Sequence, residues 1–469
     1  MKTEKNKSRK NIIERFTKKR KISPKSRKNN KTPINGRVLE KEKEGWKIVE
    51  VFGEPFEMGY AHGYLLHDEL REIKKTFPFI VKNDLKISFS LYLEKSNVLI
   101  KPVLKTKYPD LYQEIRGISQ GAKKRGLDIS VDFLTSWNAY MSLQSVVLDD
   151  SIETENNNAE KVHRCSAFIA TGNATKNGDI VMAHNTHTHF AEGRFMNIVM
   201  YLKPSRGIPF MMQMVAGFIA SVTDWFLTEA GIIGCETTIA YTNYKPSFGS
   251  PFFCRIREAM QYGTSLDQYV DIMLKDNAGD YACSWQFGNV NTGEIMLFEL
   301  GLEHYNVQRT KNGVYYGMNS AIDFHVRNRE TEDNSIFDPT RPTGSRNYRL
   351  HHLLNEKYYG KITTDNAKVI LSDHYDMSLL RSQMNGRSIC KHREHEPPIE
   401  GQKVKPVGAV DGKVVNSKLA KKMEFLGRFG SSCGRDFRKS DFLKKYSEYE
   451  KWRPYLVDFP KKKWTRIGI

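Results

Sequence analysis

Two groups of residues in this sequence have the types and spacing for nucleophilic chemistry. Cys165 and Ser166 head the apolar run "CSAFIATG", and His184, Asn185 and Thr186 close the next one, "DIVMAHNT". A cysteine attacks a carbonyl only when a base takes its proton, and a nearby histidine is the usual base. Another base becomes available if the chain is cut between Arg164 and Cys165. The new α-amino group, with an ordinary pKa of about 8, then lies on the same residue as the thiol. A cut there explains why a cysteine opens a strand directly after residues 147–164, "VLDDSIETENNNAEKVHR", whose acidic, Asn-rich and aperiodic composition suits an exposed loop. Against it stands the ordinary fate of an unpaired cysteine, burial as a small hydrophobe.

Two further clusters carry ligand types. His184, His187 and His189 in "HNTHTHF", and Cys390, His392 and His395 in "CKHREHE", are zinc-ligand residues. Their spacings are not those of a finger or a zincin helix, and in a strand His184 and His187 face opposite ways, so neither a metal nor a cofactor is expected. Ser345, Arg346 and Arg349 in "PTGSRNYRL" have the groups to hold a carboxylate or phosphate, though a basic face on a solvated helix start accounts for them.

The elements that must hold these residues follow from periodicity. "GWKIVEVFGEPFEMGYAHGYLLHDELREI" passes from strand-like alternation through a Gly-Glu-Pro turn into a helix carrying Leu65, Leu66 and Leu70. The block after it spaces Leu, Ile, Phe and Trp by threes and fours, with Asp128 and Ser130 placed as caps, and predicts mainly helix. From Cys165 onward, short apolar runs broken by Gly, Asn and Thr predict strands and hairpins, with turns at Asn177 and Gly178 and from Asn291 to Gly293. A two-residue turn at Asn177 and Gly178 sets Phe190 opposite Cys165, whereas a wider loop over 171–179 sets Asn185 opposite it; periodicity does not decide between them. Helical patterns return at "RIREAMQYGTSLDQYVDIMLK" and "YRLHHLLNEKYYG", which makes an α+β layered domain, and "KVKPVGAVDGKVVNSKLAKK" reads as a Gly- and Lys-rich loop.

Composition sets the outer limits. With 469 residues and 39% hydrophobic content, the chain can bury a large core divided into two or three domain-sized units. No run of apolar residues is long enough to span a bilayer, and the first residues lack the apolar core of a secretory signal, so a cytoplasmic location is expected. The net charge of +19 is concentrated at the start, where residues 1–36 hold 14 Lys and Arg against Glu4 and Glu14. That tail is expected to be disordered and to bind polyanions nonspecifically, or to have no dedicated partner at all. The six cysteines are widely spaced and are expected to be mostly reduced.

Four stretches together resemble one known group of enzymes. "GEPFEMGYAHG", "CSAFIATGNATKNGDIVMAHNTH", "TDWFLTEAGIIGCETT" and "NAGDYACSWQFGNVNTGEIMLFELG" occur in the order seen in the phospholipase B-like proteins and the related penicillin-processing acyltransferase family, both N-terminal-nucleophile (Ntn) hydrolases. The resemblance implies a precursor that cuts itself before Cys165 and Ser166. It implies an α+β, four-layered α-β-β-α sandwich preceded by a mainly helical pro-segment, with boundaries at 1–40 for the tail, 41–164 for the pro-segment and 165–469 for the catalytic domain. It favours the wider hairpin loop. Cys165 is then the nucleophile, its amino group the base, and His184 and Asn185 orient the substrate or stabilise the oxyanion.

Two positions depart from the pattern: His187 stands where Trp is usual, and Cys283 in "YACSW" stands where related families place Asn. A thiol donates weakly, so an oxyanion hole built on Cys283 is a poorer one. The implied partner is a lipid-like or other acylated small molecule, cleaved at an ester or amide bond. Acyl transfer or amidase action on a small acylated amine stays open. So does a catalytically weakened binding protein carried to acidic surfaces by its tail.

Overall fold

β1 (Gly36–Lys43) and β2 (Trp46–Gly53) form a hairpin around Glu44 and Gly45, both in the left-handed region. They begin the part of the chain described by the computed structural model, which covers residues 33–150, 165–396 and 404–469. Helix Pro55–Leu65 follows, with Pro55 at its first turn and the Glu57 side chain accepting the Glu54 backbone N–H. Gly59 and Gly63 of this helix meet Gly117 and Gly121 of helix Pro109–Lys124. A Cβ at Gly59 would stand 1.9 Å from Glu114 O, and one at Gly121 2.0 Å from Tyr60 O. The stretch "GEPFEMGYAHG" therefore lets two helix backbones touch, and its job is packing. Helices His67–Ile80, Phe89–Leu99, Lys101–Lys107, Val131–Asn138 and Tyr140–Asp150 complete the helical block. The last of these carries the backbone to Asp150, into the stretch expected to be a loop; residues 151–164 lie outside the described residues.

The second part supplies strands β3 (Cys165–Gly172), β4 (Gly178–His189), β5 (Ile198–Pro204), β6 (Phe210–Met214), β7 (Phe226–Thr228) and β8 (Ile232–Thr238). After helices Phe252–Tyr262 and Leu266–Leu274 come β9 (Cys283–Asn289), β10 (Glu294–Leu300), β11 (Tyr305–Thr310) and β12 (Gly313–Gly317). Helices Pro342–His351 and Thr364–Leu371, a small ribbon of β13 (Tyr375–Asp376) and β14 (Arg381–Ser382), and β15 (Val407–Asn416), β16 (Glu424–Phe429) and β17 (Thr465–Gly468) end the chain.

The fold is mixed α/β with two large sheets. A nine-stranded sheet has the order β1-β2-β5-β6-β7-β8-β9-β10-β11, and a six-stranded sheet the order β12-β3-β4-β15-β16-β17. Neighbouring strands are antiparallel except β2 and β5, which are parallel. Trp46, Ile48, Val199 and Ile233 of the large sheet share one buried cluster with Ala167, Ile169, Met182 and Phe425 of the small sheet. Val51, Met200 and Phe287 pack instead with Leu70, Phe77 and Ile118 of the helical block, and Phe168, Ala183 and Val414 with Leu350, Ile370 and Leu371. The inner strands thus bury alternate residues on two sides, which period 2 requires of a sheet covered on both faces, while β1 and β11 at the edges of the large sheet stay largely exposed or half-buried.

Two expectations change here. The stretch taken for a loop at 403–422 contains β15, buried almost throughout and hydrogen-bonded between β4 and β16. The boundary at 40 falls inside β1, and β2 pairs with β5, so residues 34–164 and 165–469 contribute to one sheet within a single unit, 34–469.

β15 also carries a buried ion pair, Asp411 and Lys413, 2.8 Å apart with neither side chain exposed. Removing one partner leaves an uncompensated buried charge. Asp411→Ala is expected to lower the unfolding free energy by about 3–5 kcal/mol, read as a shift in the urea midpoint. A loss below about 1 kcal/mol would mean that water reaches the pair.

Candidate active site

Cys165 is the first residue of β3 and is 3% exposed. Strand register brings distant residues to it. β12 runs antiparallel to β3 with Gly317 opposite Ala167, so Asn319, two residues further on, comes level with Cys165. Asn319 has a left-handed backbone, φ 78°, which its short polar side chain tolerates. Its Oδ1 accepts the Cys165 backbone N–H at 3.3 Å and Arg346 Nη2–H at 3.0 Å, while its Nδ2 donates to Thr238 O at 3.1 Å.

Arg346 lies on helix Pro342–His351 and is fully buried, which corrects the expectation of a solvated basic face. The helix packs on the small sheet through Leu350, and this turns Arg346 inward. Its Nη1 donates to Cys165 O at 2.6 Å and to Ser166 Oγ at 3.0 Å, and its Nε to Pro342 O at 3.1 Å. Burial pushes its pKa down to about 10, with Cys165 acting in the opposite sense, so the guanidinium stays charged at neutral pH. Ser345 is buried as well, and Arg349 makes a two-pronged pair with Asp373 at 2.9 and 2.6 Å.

The β3–β4 connection is the wider loop, but a register shift between Ala170 and Gly172 moves the pairing by one residue. Cys165 faces Thr186, Ser166 faces Asn185, and Ala167 faces His184. A one-residue slip exchanges the two faces of a strand. Thr186 and His184 therefore share the Cys165 side, while Asn185 and His187 point to the other. Asn185 donates to Leu371 O at 2.8 Å and Ile389 O at 3.2 Å and accepts from Ser432 Oγ, and His187 Nε2 donates to Ile389 O at 3.1 Å. The expectation that Asn185 lines a site with Cys165 does not match this geometry; Asn185 braces the outer layer.

On the Cys165 side, His184 donates Nε2–H to Glu236 O at 3.1 Å. Burial, and then the charge of Lys413, hold its pKa well below the ordinary range, so the ring is neutral. Thr186 accepts from Lys413 Nζ at 2.8 Å and donates its backbone N–H to Asp411 at 3.2 Å. Lys413 also reaches Gln213 at 2.7 Å. A buried ammonium thus contacts the residue directly across the sheet from Cys165.

Cys283 opens β9, fully buried beside Trp285 and Phe287. Burial first, then the Glu236 and Asp224 carboxyls, push its thiol well above the ordinary range; it is hydrogen-bonded to Glu236, and Cys165 adds a smaller push. The two thiols share an electrostatic neighbourhood, but the weak donor of Cys283 is engaged with Glu236. The arrangement around Cys165 is a buried thiol at a strand end, its backbone N–H and carbonyl both held, beside a permanent cation.

Asn319, Asp411 and Lys413 escaped sequence reading. Their signals were present in "YYGMNS", where a polar Asn follows the end of a short aromatic strand, and in "AVDGKVV", where two opposite charges alternate among apolar residues. A separate cluster, His374, Cys390, His392 and Cys433, brings four metal-ligating side chains together. Local spacing revealed only Cys390 and His392 of these.

No family model matches the sequence. An uncharacterized protein of Archaeoglobus fulgidus is 25% identical over 246 residues, which cover 50% of this chain and 40% of that protein. Protein dcd1B of Dictyostelium discoideum is 23% identical over 237 residues, covering 47% and 43%. The chain spans less than half the length of these curated relatives. Two variants of a conjugated bile acid hydrolase from Clostridium perfringens are similar in structure. One covers 56% of this chain and 89% of its own at 11% identity and a TM-score of 0.29, and the other covers 57% and 82% at 14% and 0.25. At these TM-scores neither similarity bears on the fold.

Proposed function

We propose that the chain is the precursor of a cysteine Ntn hydrolase acting on acyl ester or amide bonds, with Cys165 as its nucleophile once the bond to Arg164 is cut. The two facing sheets with helices outside them are then the layers of an α-β-β-α sandwich, and residues 34–164 a pro-segment that stays in place. The observation that carries this reading is the double grip on the Cys165 backbone, by Asn319 on its N–H and by Arg346 on its carbonyl. Any buried backbone N–H and C=O needs a partner, but here both partners are buried polar side chains, an amide and a guanidinium, rather than a neighbouring strand. An α-amine at the same place keeps an N–H for Asn319 and turns its lone pair toward its own thiol.

In this reading, Sγ adds to the substrate carbonyl carbon while the thiol proton passes to the α-amine. The amine returns that proton to the departing alcohol or amine, which leaves a thioester. Water then adds, losing its proton to the same amine, and the thiol re-forms as the acid departs. Arg346 supplies fixed positive charge beside the developing negative charge. A lipid-like acyl group is the substrate class that the resemblance to phospholipase B-like proteins favours.

Acyl trapping tests the proposal. Processed protein mixed with a short-chain acyl ester and quenched in acid is expected to carry the acyl mass on the peptide beginning at Cys165. Turnover with the acyl mass on another residue, or with none on Cys165 in a rapid quench, would overturn it.

A further inference from the structure

On the outer side of the small sheet, three chain segments converge: the turn after helix Thr364–Leu371, the stretch before β15 and the turn after β16. His374, Cys390, His392 and Cys433 each offer one ligand atom there, and these atoms lie within 4.8 Å of one another. We infer that the four residues form a tetrahedral zinc site that clamps these segments together. The inference is independent of the reaction proposed for Cys165.

Two thiolates and two imidazoles are the donor set that zinc takes in closed structural sites. His392 Nε2 lies 3.4 Å from both Cys390 Sγ and Cys433 Sγ. Bonds of about 2.3 Å to sulfur and about 2.0 Å to nitrogen, at a tetrahedral angle, set such donors about 3.5 Å apart, so the spacing fits one shared ion. His392 is also oriented for ligation. Its Nδ1 is 2.7 Å from Glu394 Oε1, which fixes the proton on Nδ1 and leaves the Nε2 lone pair facing the sulfurs. His374 Nε2 is buried and has no hydrogen-bond partner among the described residues. Cys433 Sγ accepts the Arg435 backbone N–H at 3.4 Å, a contact that favours a thiolate. Cysteines serving as small hydrophobes would not gather two imidazoles and a carboxylate.

The clamp bears on the rest of the fold through β4. Asn185 and His187 hydrogen-bond to Leu371 O and Ile389 O, and Ser432 bonds Asn185, so the residues held by β4 adjoin the ligands in all three segments. A depression of about 570 Å³, lined in part by His374, Cys433 and Gly434, gives solvent access from one side.

The test uses the full chain, purified anaerobically without chelator. Elemental analysis is expected to find about one zinc per chain, and exchange for cobalt to give the intense visible bands and thiolate charge-transfer band of a tetrahedral site. Cys433→Ser and His374→Ala are expected to cut zinc content about tenfold or more, whereas Glu394→Gln keeps zinc with affinity weakened about 10- to 100-fold. Natively folded protein that holds no zinc and takes none up from an equimolar supply would overturn the inference. A Cys390–Cys433 disulfide in the anaerobic protein would do the same, as would an octahedral cobalt spectrum. If both ligand variants are insoluble, the wild-type cobalt spectrum decides.

Discussion

Purified wild-type protein is expected to resolve on a denaturing gel into fragments of about 19 and about 35 kDa, the 54.1 kDa chain divided before Cys165, while Cys165→Ala stays whole. The order of events follows from the basicity of the Cys165 nitrogen. While Cys165 is joined to Arg164 its nitrogen is an amide and cannot take a proton from the thiol. Attack by Sγ on the preceding carbonyl breaks the C–N bond, the nitrogen gains a proton as it leaves, and water then hydrolyses the thioester. The larger fragment should therefore begin at Cys165. Under native conditions the two fragments should elute together, because β2 keeps its parallel ladder with β5 and the helical block its packing on the large sheet. Wild-type chain that remains intact after prolonged incubation would exclude an Ntn mechanism. A cut at the same bond in Cys165→Ala would assign the cleavage to another protease.

Local order was legible wherever one physical pattern dominated. The alternation in "WKIVEV" and the Pro after Gly-Glu specify β2 and the helix behind it, and the turn glycines Gly178 and Gly293 take positive φ where hairpins need it. Patterns failed where long-range partners set the environment. β15 looked like a loop because its stretch is rich in Gly and Lys, and only the folded sheet reveals that Lys413 pairs with Asp411 and holds Thr186 of β4 and Gln213 of β6. Arg346 looked solvated because its partners, Cys165 and Asn319, lie 181 and 27 residues away. The bulge between Ala170 and Gly172 has no signature in the sequence, yet it decides which face of β4 meets Cys165 and removes Asn185 from it. The metal-type cluster was half visible: Cys390 and His392 are close in sequence, and tertiary packing brings His374 and Cys433.

Arg346→Met is expected to lower kcat by about 100- to 1000-fold with little change in KM, a loss of about 2.7–4 kcal/mol of transition-state stabilisation. Methionine fills much of the same space but removes the charge and both hydrogen bonds that reach the Cys165 and Ser166 groups. Arg346→Lys should recover only part of the rate, since an ammonium keeps the charge but cannot bond Cys165 O, Ser166 Oγ and Asn319 Oδ1 in one fork. Asn319→Ala removes the acceptor that orients the Cys165 nitrogen, and is expected to slow both the cut before Cys165 and turnover by the cut protein. Reading the two steps separately matters, because an uncut variant is silent for want of its base whatever its oxyanion stabilisation. The fraction cut is therefore measured on denaturing gels, and kcat is referred to cut chains alone. Near-ultraviolet circular dichroism checks that the core has kept its packing. If natively folded Arg346→Met is cut and turns over at the wild-type rate, the guanidinium only fills space beside β3, and the double grip on Cys165 loses its catalytic meaning.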